Sequence, residues 1–456
     1  MKKTSLNLIP AFVVNLGSRL KQLRAVPVQV EAAGGEALLV VFSHSPNLDP
    51  WYKYMRFPND TLKMALLSLD GRLLWQRDMG AGVIPGIWFF PFFPFDLDRD
   101  GVEEIWIVNN PAPEKPFNSS LFQLEKLDPA TGETVESHPW PHGDMPAYET
   151  MSHAYRFFIF GGRVHGEPVL VTAQGTYNSL HLQGWSRQGG LVQRWHIDIP
   201  PEAPGARGSH MTAIVDWNSD GVDEVFYGER CIELDGGKEL FCADRDTYRG
   251  HSDVAQPVFD WQERIWRLYT LREKDIHVAP RVCCYDQEGR RLWGHLEQGH
   301  LHSGWVARMG PEQRHVGMAV PEGVKSPGVG APRGAEEYFY DIATGRPYPQ
   351  PISLLSTRPV DMDGDGEHEF AGDNKLVTAD GSVLAGFLGN VAMVGRFLPY
   401  PGEHLLTFDY DGVLRAYYAA GVKDSEAAIA RYNHPFYQAN RKLTGCGYNN
   451  RNLGGV

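Results

Sequence analysis

Apolar and polar positions alternate in short runs along most of this chain, and glycine-bearing polar turns break the runs. One unit recurs as strand, polar turn, strand. It reads MALLSLDGRLLWQR at 64–77 and returns at 124–135, 182–195, 231–241, 282–293, 338–348 and 375–386, with FDYDGVLRAYY at 408–418 as an eighth candidate. Asp-Gly and related turns between period-two runs are hairpin signals. Helical periodicity is nearly absent before residue 421, after which DSEAAIARY forms a short helix candidate.

A second unit precedes several hairpins: DLDRDGVEE at 96–104, DWNSDGVDE at 216–224 and DMDGDGEHE at 361–369. Each places side-chain oxygens at its first, third and fifth positions, then Gly, then Glu at the ninth. The sets are Asp96, Asp98, Asp100 and Glu104; Asp216, Asn218, Asp220 and Glu224; and Asp361, Asp363, Asp365 and Glu369. Hard oxygen ligands around a Gly bend are the pattern of a calcium loop. The competing reading is a turn that caps itself with Asx hydrogen bonds.

Strand, acidic turn, strand, loop and hairpin make a four-stranded antiparallel unit. Its repetition predicts an all-β chain forming a single β-propeller of seven blades, with eight also compatible with the hairpin count. The expected organisation is an N-terminal extension over 1–25, the propeller over 26–420, and a closing segment over 421–456 in the same domain.

Composition narrows the function. The chain has 456 residues, of which 42% are apolar, 22% charged and 12% aromatic, which excludes a disordered chain. No run of 18 apolar residues exists, so no membrane-spanning helix is expected. A net charge of −13 argues against nucleic acid or an anionic membrane surface as partner. The five cysteines are dilute and odd in number, so there is no disulfide scaffold. The start has a basic head, but Pro10 and Asn15 interrupt its apolar centre and Arg19, Lys21 and Arg24 follow. It reads as no signal peptide, and a cytoplasmic protein is expected, with secretion as the alternative.

Blade topology then sorts residues by face. Acidic turns join the first and second strands and fall on one face. The opposite face collects the second-to-third-strand loops and the segments entering each inner strand. His153, His210, His251 and His302 each stand just before an inner strand, in four consecutive units. The same face gathers Arg207, Arg245, Tyr248, Tyr177 and Trp305. Tyr177 and Trp305 suit stacking on a sugar ring or packing in the core.

His, Tyr and Arg without a nucleophile–base pair point to β-elimination from a uronic acid. Arg neutralises the carboxylate, so that the C5 proton can leave. Tyr or His removes that proton, and a donor protonates the departing O4. On this reading His153, Tyr177, Arg207 and His210 are catalytic, and one Tyr could serve both proton transfers of a syn elimination. Arg245, Tyr248, His251, His302 and Trp305 bind substrate, with His251 and His302 also candidate metal ligands. His277, Cys283 and His295 are candidate zinc ligands, because thiolate and imidazole suit that ion. Strand alternation lets only one of Cys283 and Cys284 point to such a site.

The segments 208–253, GHLHSGWVAR at 299–308 and KLTGCGYNNRN at 442–452 resemble the propeller polysaccharide lyases. The resemblance is to ulvan lyases and rhamnose–glucuronate lyases, with rhamnogalacturonan lyases as more distant relatives, and runs from about residue 26 to the end. It implies structural calcium at the acidic turns, elimination at C5 of a uronate next to rhamnose, and a His/Tyr/Arg set at the propeller centre. It implies seven blades for the ulvan type and eight for the rhamnogalacturonan type. The expected partner is an anionic uronate-containing glycan and the expected state a monomer. Two other classes compete. A non-catalytic calcium-dependent carbohydrate-binding propeller would not need the four histidines. A glycoside hydrolase would need two carboxylates on the site face, where Asp144, Glu149 and Asp253 are the candidates.

Overall fold

The structure is a computed structural model that describes residues 3, 5–51, 56–141, 150–273, 280–297, 300–321 and 336–456. Eight antiparallel sheets form eight blades, seven of them with four strands and one with three among the described residues. In chain order the first seven cover 22–78, 92–139, 157–199, 212–242, 252–295, 301–341 and 358–386. The eighth joins the strands of 390–419 to Leu8–Asn15. Of the two counts the hairpins allowed, the structure has eight blades in place of the preferred seven, and FDYDGVLRAYY is the hairpin of the eighth.

The expected extension over 1–25 is likewise corrected. Leu8–Asn15 pairs antiparallel with Val413–Ala419 as the outermost strand of the last blade, and Gln22–Glu31 begins the first. N- and C-terminal strands thus share one sheet, which closes the ring and leaves no blade with an open seam. The run is only half apolar because it is an outer strand. Its burial alternates, as does that of Leu73–Asp78, whereas the inner strand Phe92–Phe95 is wholly buried.

Neighbouring blades are locked by a repeated joint. An outer-strand aromatic lies on the hairpin glycine of the next blade. A Cβ at Gly132 would stand 2.6 Å from the Trp75 ring, one at Gly237 2.7 Å from Trp195, and one at Gly345 2.5 Å from Trp293. These three glycines have φ of +72°, +69° and +68°, so both conformation and space demand glycine. Each indole also donates to a backbone carbonyl of that next blade, those of Pro129, Leu234 and Ile342. Phe12 on Gly71 makes the same joint between the eighth and first blades.

After the last blade come two short helices, Glu426–Tyr432 and Pro435–Asn440, and a tail that enters the axis. Arg24 of blade 1 donates to the Gly445 carbonyl and the Cys446 thiol to that of Phe92 in blade 2. Thr212 N–H donates to Asn449 Oδ1 in blade 4, and Gln256 Nε2 to the Asn452 carbonyl in blade 5. Gly454 lies so close to the Val306 carbonyl of blade 6 that no side chain would fit. Among the described residues no helix is long and apolar enough to cross a membrane.

The closing joint gives a stability prediction. Phe12 is buried, so Phe12→Ala should cost about 3–5 kcal/mol, the usual range for a buried Phe. Urea unfolding measures it; a change below about 1 kcal/mol would show that the ring does not depend on this contact.

Candidate functional site

The site is built at one end of blades 3 to 6. His153 lies in the short helix Met151–Ala154 ahead of blade 3, and Tyr177 follows that blade's second strand, Glu167–Gln174. His210 precedes the inner strand Thr212–Val215. His251 precedes the inner strand Ser252–Asp260, and Glu273 follows its partner Ile265–Arg272. His302 is the second residue of Leu301–Met309. All of these positions fall at the same end of their strands; the acidic turns join the other end.

Two local devices aim the side chains. Asp253 and His302 are each skipped in the register between inner strand and partner, so each is the extra residue of a β-bulge. Tyr177 has φ of +78°, a left-handed conformation that costs a non-glycine residue about 1–3 kcal/mol. Its N–H donates to the Arg207 carbonyl at 2.9 Å, which helps hold it there.

Tyr177 Oη lies 3.0 Å from His210 Nε2, and its ring packs 4.0 Å from that of His251. His210 Nε2 lies 3.4 Å from Asp253 Oδ1 and 4.0 Å from Glu273 Oε2. His302 Nδ1 lies 2.6 Å from Asp253 Oδ2, and His251 and His300 both pair with Glu273. Arg156 lies 4.6 Å above the Trp88 ring and 5.2 Å from the Tyr177 ring, a cation between two π faces. It reaches Asp49 at 3.5 Å, and its Nη1 is buried without a hydrogen-bond partner. Tyr448 of the axial tail packs 5.1 Å from His210 and 5.3 Å from Trp88.

Burial sets the protonation states. It holds the His210 imidazole well below its ordinary range, with Arg156 and His251 adding to the effect, so this ring is neutral. Burial opposes ionisation of Glu273, but His251, His300 and His302 outweigh it and hold the carboxyl well below its usual range. Burial pushes the Tyr177 phenol well above its usual range, with Glu273 and Asp253 adding to the rise against Arg156, so it carries its proton.

The donor set fits a divalent cation. Ligand atoms of His210, His251, Asp253 and Glu273 all lie within 4.8 Å of one another, and all four residues are buried. Asp253 Oδ1 is fully buried and receives no hydrogen bond, with His210 and His251 Nε2 at 3.4 and 3.8 Å. A buried carboxylate oxygen in that state wants a cation.

The structure therefore brings together His153, Tyr177, His210, His251 and His302. It sends four other expected site residues elsewhere. The Arg207 guanidinium donates to the carbonyls of Pro200, Pro201 and Ala203, so it shapes the loop that supports Tyr177. The Tyr248 hydroxyl is buried on the His251 carbonyl, and its ring lies beneath Arg272 at 3.8 Å. Trp305 is fully buried beside Phe370. Arg245 is exposed and paired with Glu239.

Of the candidate zinc ligands, the described residues include Cys283 and His295. Cys283 lies in an apolar cluster with burial pushing its thiol up, while His295 stacks on Tyr340 at 4.5 Å and contacts the Gly345 carbonyl. The two join no cluster of metal-binding side chains, and His277 lies outside the described residues.

Sequence reasoning missed Arg156, Glu273, Asp49, Trp88, His300 and Tyr448 as site residues. Two of them were legible. Glu273 closes the strand paired with the His-Ser-Asp segment, at the end already assigned to chemistry. Arg156 lies three residues after His153.

Comparison with known proteins places this cluster in a matched segment. Residues 154–324 match the family described as Rhamnogalacturonan lyase family 11, C-terminal domain. That span covers blades 3 to 5 and the first two strands of blade 6, and includes Tyr177, His210, Asp253, Glu273 and His302. The rhamnogalacturonan exolyase YesX of Bacillus subtilis (strain 168) is 29% identical over 290 residues, 54% of this chain and 44% of the relative. The rhamnogalacturonan endolyase YesW of the same organism is 25% identical over 294 residues, 56% and 44% respectively. The chain thus matches less than half the length of these curated relatives. The crystal structure of YesX superposes with a TM-score of 0.79 at 18% identity, over 93% of this chain and 76% of that one. A Bacillus licheniformis rhamnogalacturonan lyase gives 0.77 at 17%, over 98% and 81%. At these identities the superpositions establish the propeller fold.

The donor cluster gives a binding prediction. Asp253→Asn and Glu273→Gln should each weaken divalent-cation binding at this site by at least ~10-fold in calorimetric titration, since metal sites are this sensitive even to their supporting shell. Unchanged binding in both would remove the cluster as a metal centre.

Proposed function

We propose that this protein is a polysaccharide lyase that cleaves a rhamnogalacturonan-type glycan at galacturonate by β-elimination. The observation that carries the reading is the Tyr177–His210 pair beside Arg156 and the Asp253/Glu273 cluster, all within the segment matched to rhamnogalacturonan lyases. Both curated relatives bear that activity in their names. The eight blades are those that the resemblance attached to the rhamnogalacturonan type, and they weigh against the ulvan or rhamnose–glucuronate reading.

The chemistry follows from the geometry. The unpartnered Nη1 of Arg156 is the donor free to take the uronate carboxylate, which lowers the barrier to loss of the C5 proton. Tyr177 Oη takes that proton while its own passes to His210 Nε2. The neutral, buried imidazole is the sink, so no free phenolate has to form. The C5–H electrons become the C4=C5 bond, the C4–O4 bond breaks, and O4 leaves with a proton from a second donor. A divalent cation held by His251, Asp253 and Glu273 would supply further positive charge at the carboxylate, leaving His210 Nε2 to Tyr177.

Galacturonate also corrects the single-residue scheme. Its C5–H and C4–O4 bonds are trans, on opposite ring faces, whereas in glucuronate they are cis. One Tyr cannot serve both transfers of an anti elimination. Among the described residues Tyr448 is a second phenol beside His210, and burial together with Asp253 and Asp49 keeps its hydroxyl protonated.

Ultraviolet absorbance of the 4,5-unsaturated uronate tests the reading. The protein should release it from rhamnogalacturonan. Release from ulvan alone would move the substrate to a glucuronate glycan, and release from neither would favour the non-catalytic propeller. Tyr177→Phe should lower turnover by ~10²–10⁴-fold with binding largely kept. Arg156→Ala should lower it by ~10²–10³-fold, the loss seen when one donor to developing charge is removed. Near-normal turnover in either folded variant would remove that residue from the mechanism.

A further inference from the structure

The three acidic turns share one scaffold. In each, the first Asp accepts the N–H of the sixth residue, Gly101, Gly221 or Gly366, at 3.1–3.2 Å. The fifth-position Asp accepts the N–H of the seventh residue at 2.8 Å in all three. One oxygen of the ninth-position Glu accepts the N–H of the second residue, Leu97, Trp217 or Met362, at 2.9, 2.7 and 2.9 Å.

What the other Glu oxygen meets differs from turn to turn. Glu104 Oε1 takes Lys126 Nζ at 2.6 Å, and the same ammonium reaches Asp98 at 3.1 Å. Glu369 Oε1 pairs with Lys3 Nζ, which also lies 3.2 Å from Asp363 and 3.0 Å from Asp365. Glu224 Oε1 has no hydrogen-bond partner, although Glu224 is fully buried. Strand register explains the difference between the first two blades concerned. Lys126 pairs with Trp106, two residues after Glu104; the residue paired with Phe226, two after Glu224, is Cys231. Blade 4 thus carries a neutral thiol where blade 2 carries an ammonium.

We propose that Lys126 and Lys3 are built-in cations that replace the metal at the first and third turns, so that the calcium the resemblance implies for all three is needed at the 216–224 turn alone. That turn offers hard oxygens on Asp216, Asn218, Asp220 and Glu224, the kind calcium takes. The proposal limits the uniform calcium expectation to one turn of the three. An ammonium supplies one positive charge and three donors where a calcium ion supplies two charges and six or more contacts. The lysine turns need no ligand to be neutralised, and the 216–224 turn does.

Equilibrium dialysis against calcium tests this on the full chain, with bound ions counted for the parent protein and three variants. Asp220→Asn should lose one bound calcium and Asp98→Asn none. Lys126→Ala should gain one, and its melting temperature should rise with calcium more than that of the parent. Terbium gives a local readout. Trp217 is the second residue of the 216–224 turn, where the others have Leu97 and Met362, so calcium-displaceable terbium emission excited through tryptophan should vanish in Asp220→Asn. Loss of a calcium in Asp98→Asn equal to that in Asp220→Asn would overturn the lysine substitution. No loss in Asp220→Asn would overturn the calcium site. If Lys126→Ala does not fold, the two Asp→Asn variants decide the matter.

Discussion

Every blade of this propeller ends inward in a strand with one unpaired edge, and eight such edges face the axis. Their backbone N–H and C=O groups are buried there and need partners. The C-terminal segment supplies partners at several of them, most fully in blade 4. Asn440 bonds both the N–H and the C=O of Ile214, Asn449 bonds Thr212 twice, and Asn452 reaches the Thr212 carbonyl and Asn440. Asparagine fits this task because its amide offers donor and acceptor together. The same tail sets the floor of the site: Tyr448 N–H donates to the His210 carbonyl at 2.7 Å, and its ring lies against the His210 imidazole. Filling the axis and orienting the central histidine are one structural act.

Above that floor the chain concentrates what a stable core avoids. Two buried carboxylates, several imidazoles and a buried guanidinium share a small volume, with a strained Tyr177 and two bulges around them. Buried charge is tolerated only when paired, and here the pairing is incomplete at Asp253 Oδ1 and Arg156 Nη1. One unpaired group is an acceptor and the other a donor. On the proposed reading a carboxylate-bearing sugar together with a cation meets both. Local rules broken at one place while the rest of the chain obeys them are the mark of a functional site.

Much of this was legible in the sequence. Hairpin glycines and period-two runs disclosed the blades because a propeller repeats its physics, and the face argument placed His153, His210, His251 and His302 at one end. The blade count was not legible. The eighth blade is split between the two ends of the chain, and its outer strand reads like a poor leader. Arg207 was chosen for its place three residues before His210, but the carbonyls of Pro200, Pro201 and Ala203 that capture it depend on the loop's three-dimensional path. Trp305 went to the core because alternation along a strand cannot tell an inward aromatic from one facing a ligand, and Tyr248 because its loop folds it under Arg272. Asp253 was weighed only as a hydrolase carboxylate, and the bulge that turns it toward the histidines leaves no trace in composition.

The central claim is that a uronate sits between Arg156, Tyr177 and the Asp253/Glu273 cluster. A crystal structure of the Tyr177→Phe protein soaked with a rhamnogalacturonan oligosaccharide tests it most directly. The account predicts the galacturonate carboxylate on Arg156 Nη1, with C5 facing His210 and the edge of the substituted ring. An oligosaccharide bound only on the opposite face of the propeller, beside the acidic turns, would contradict it.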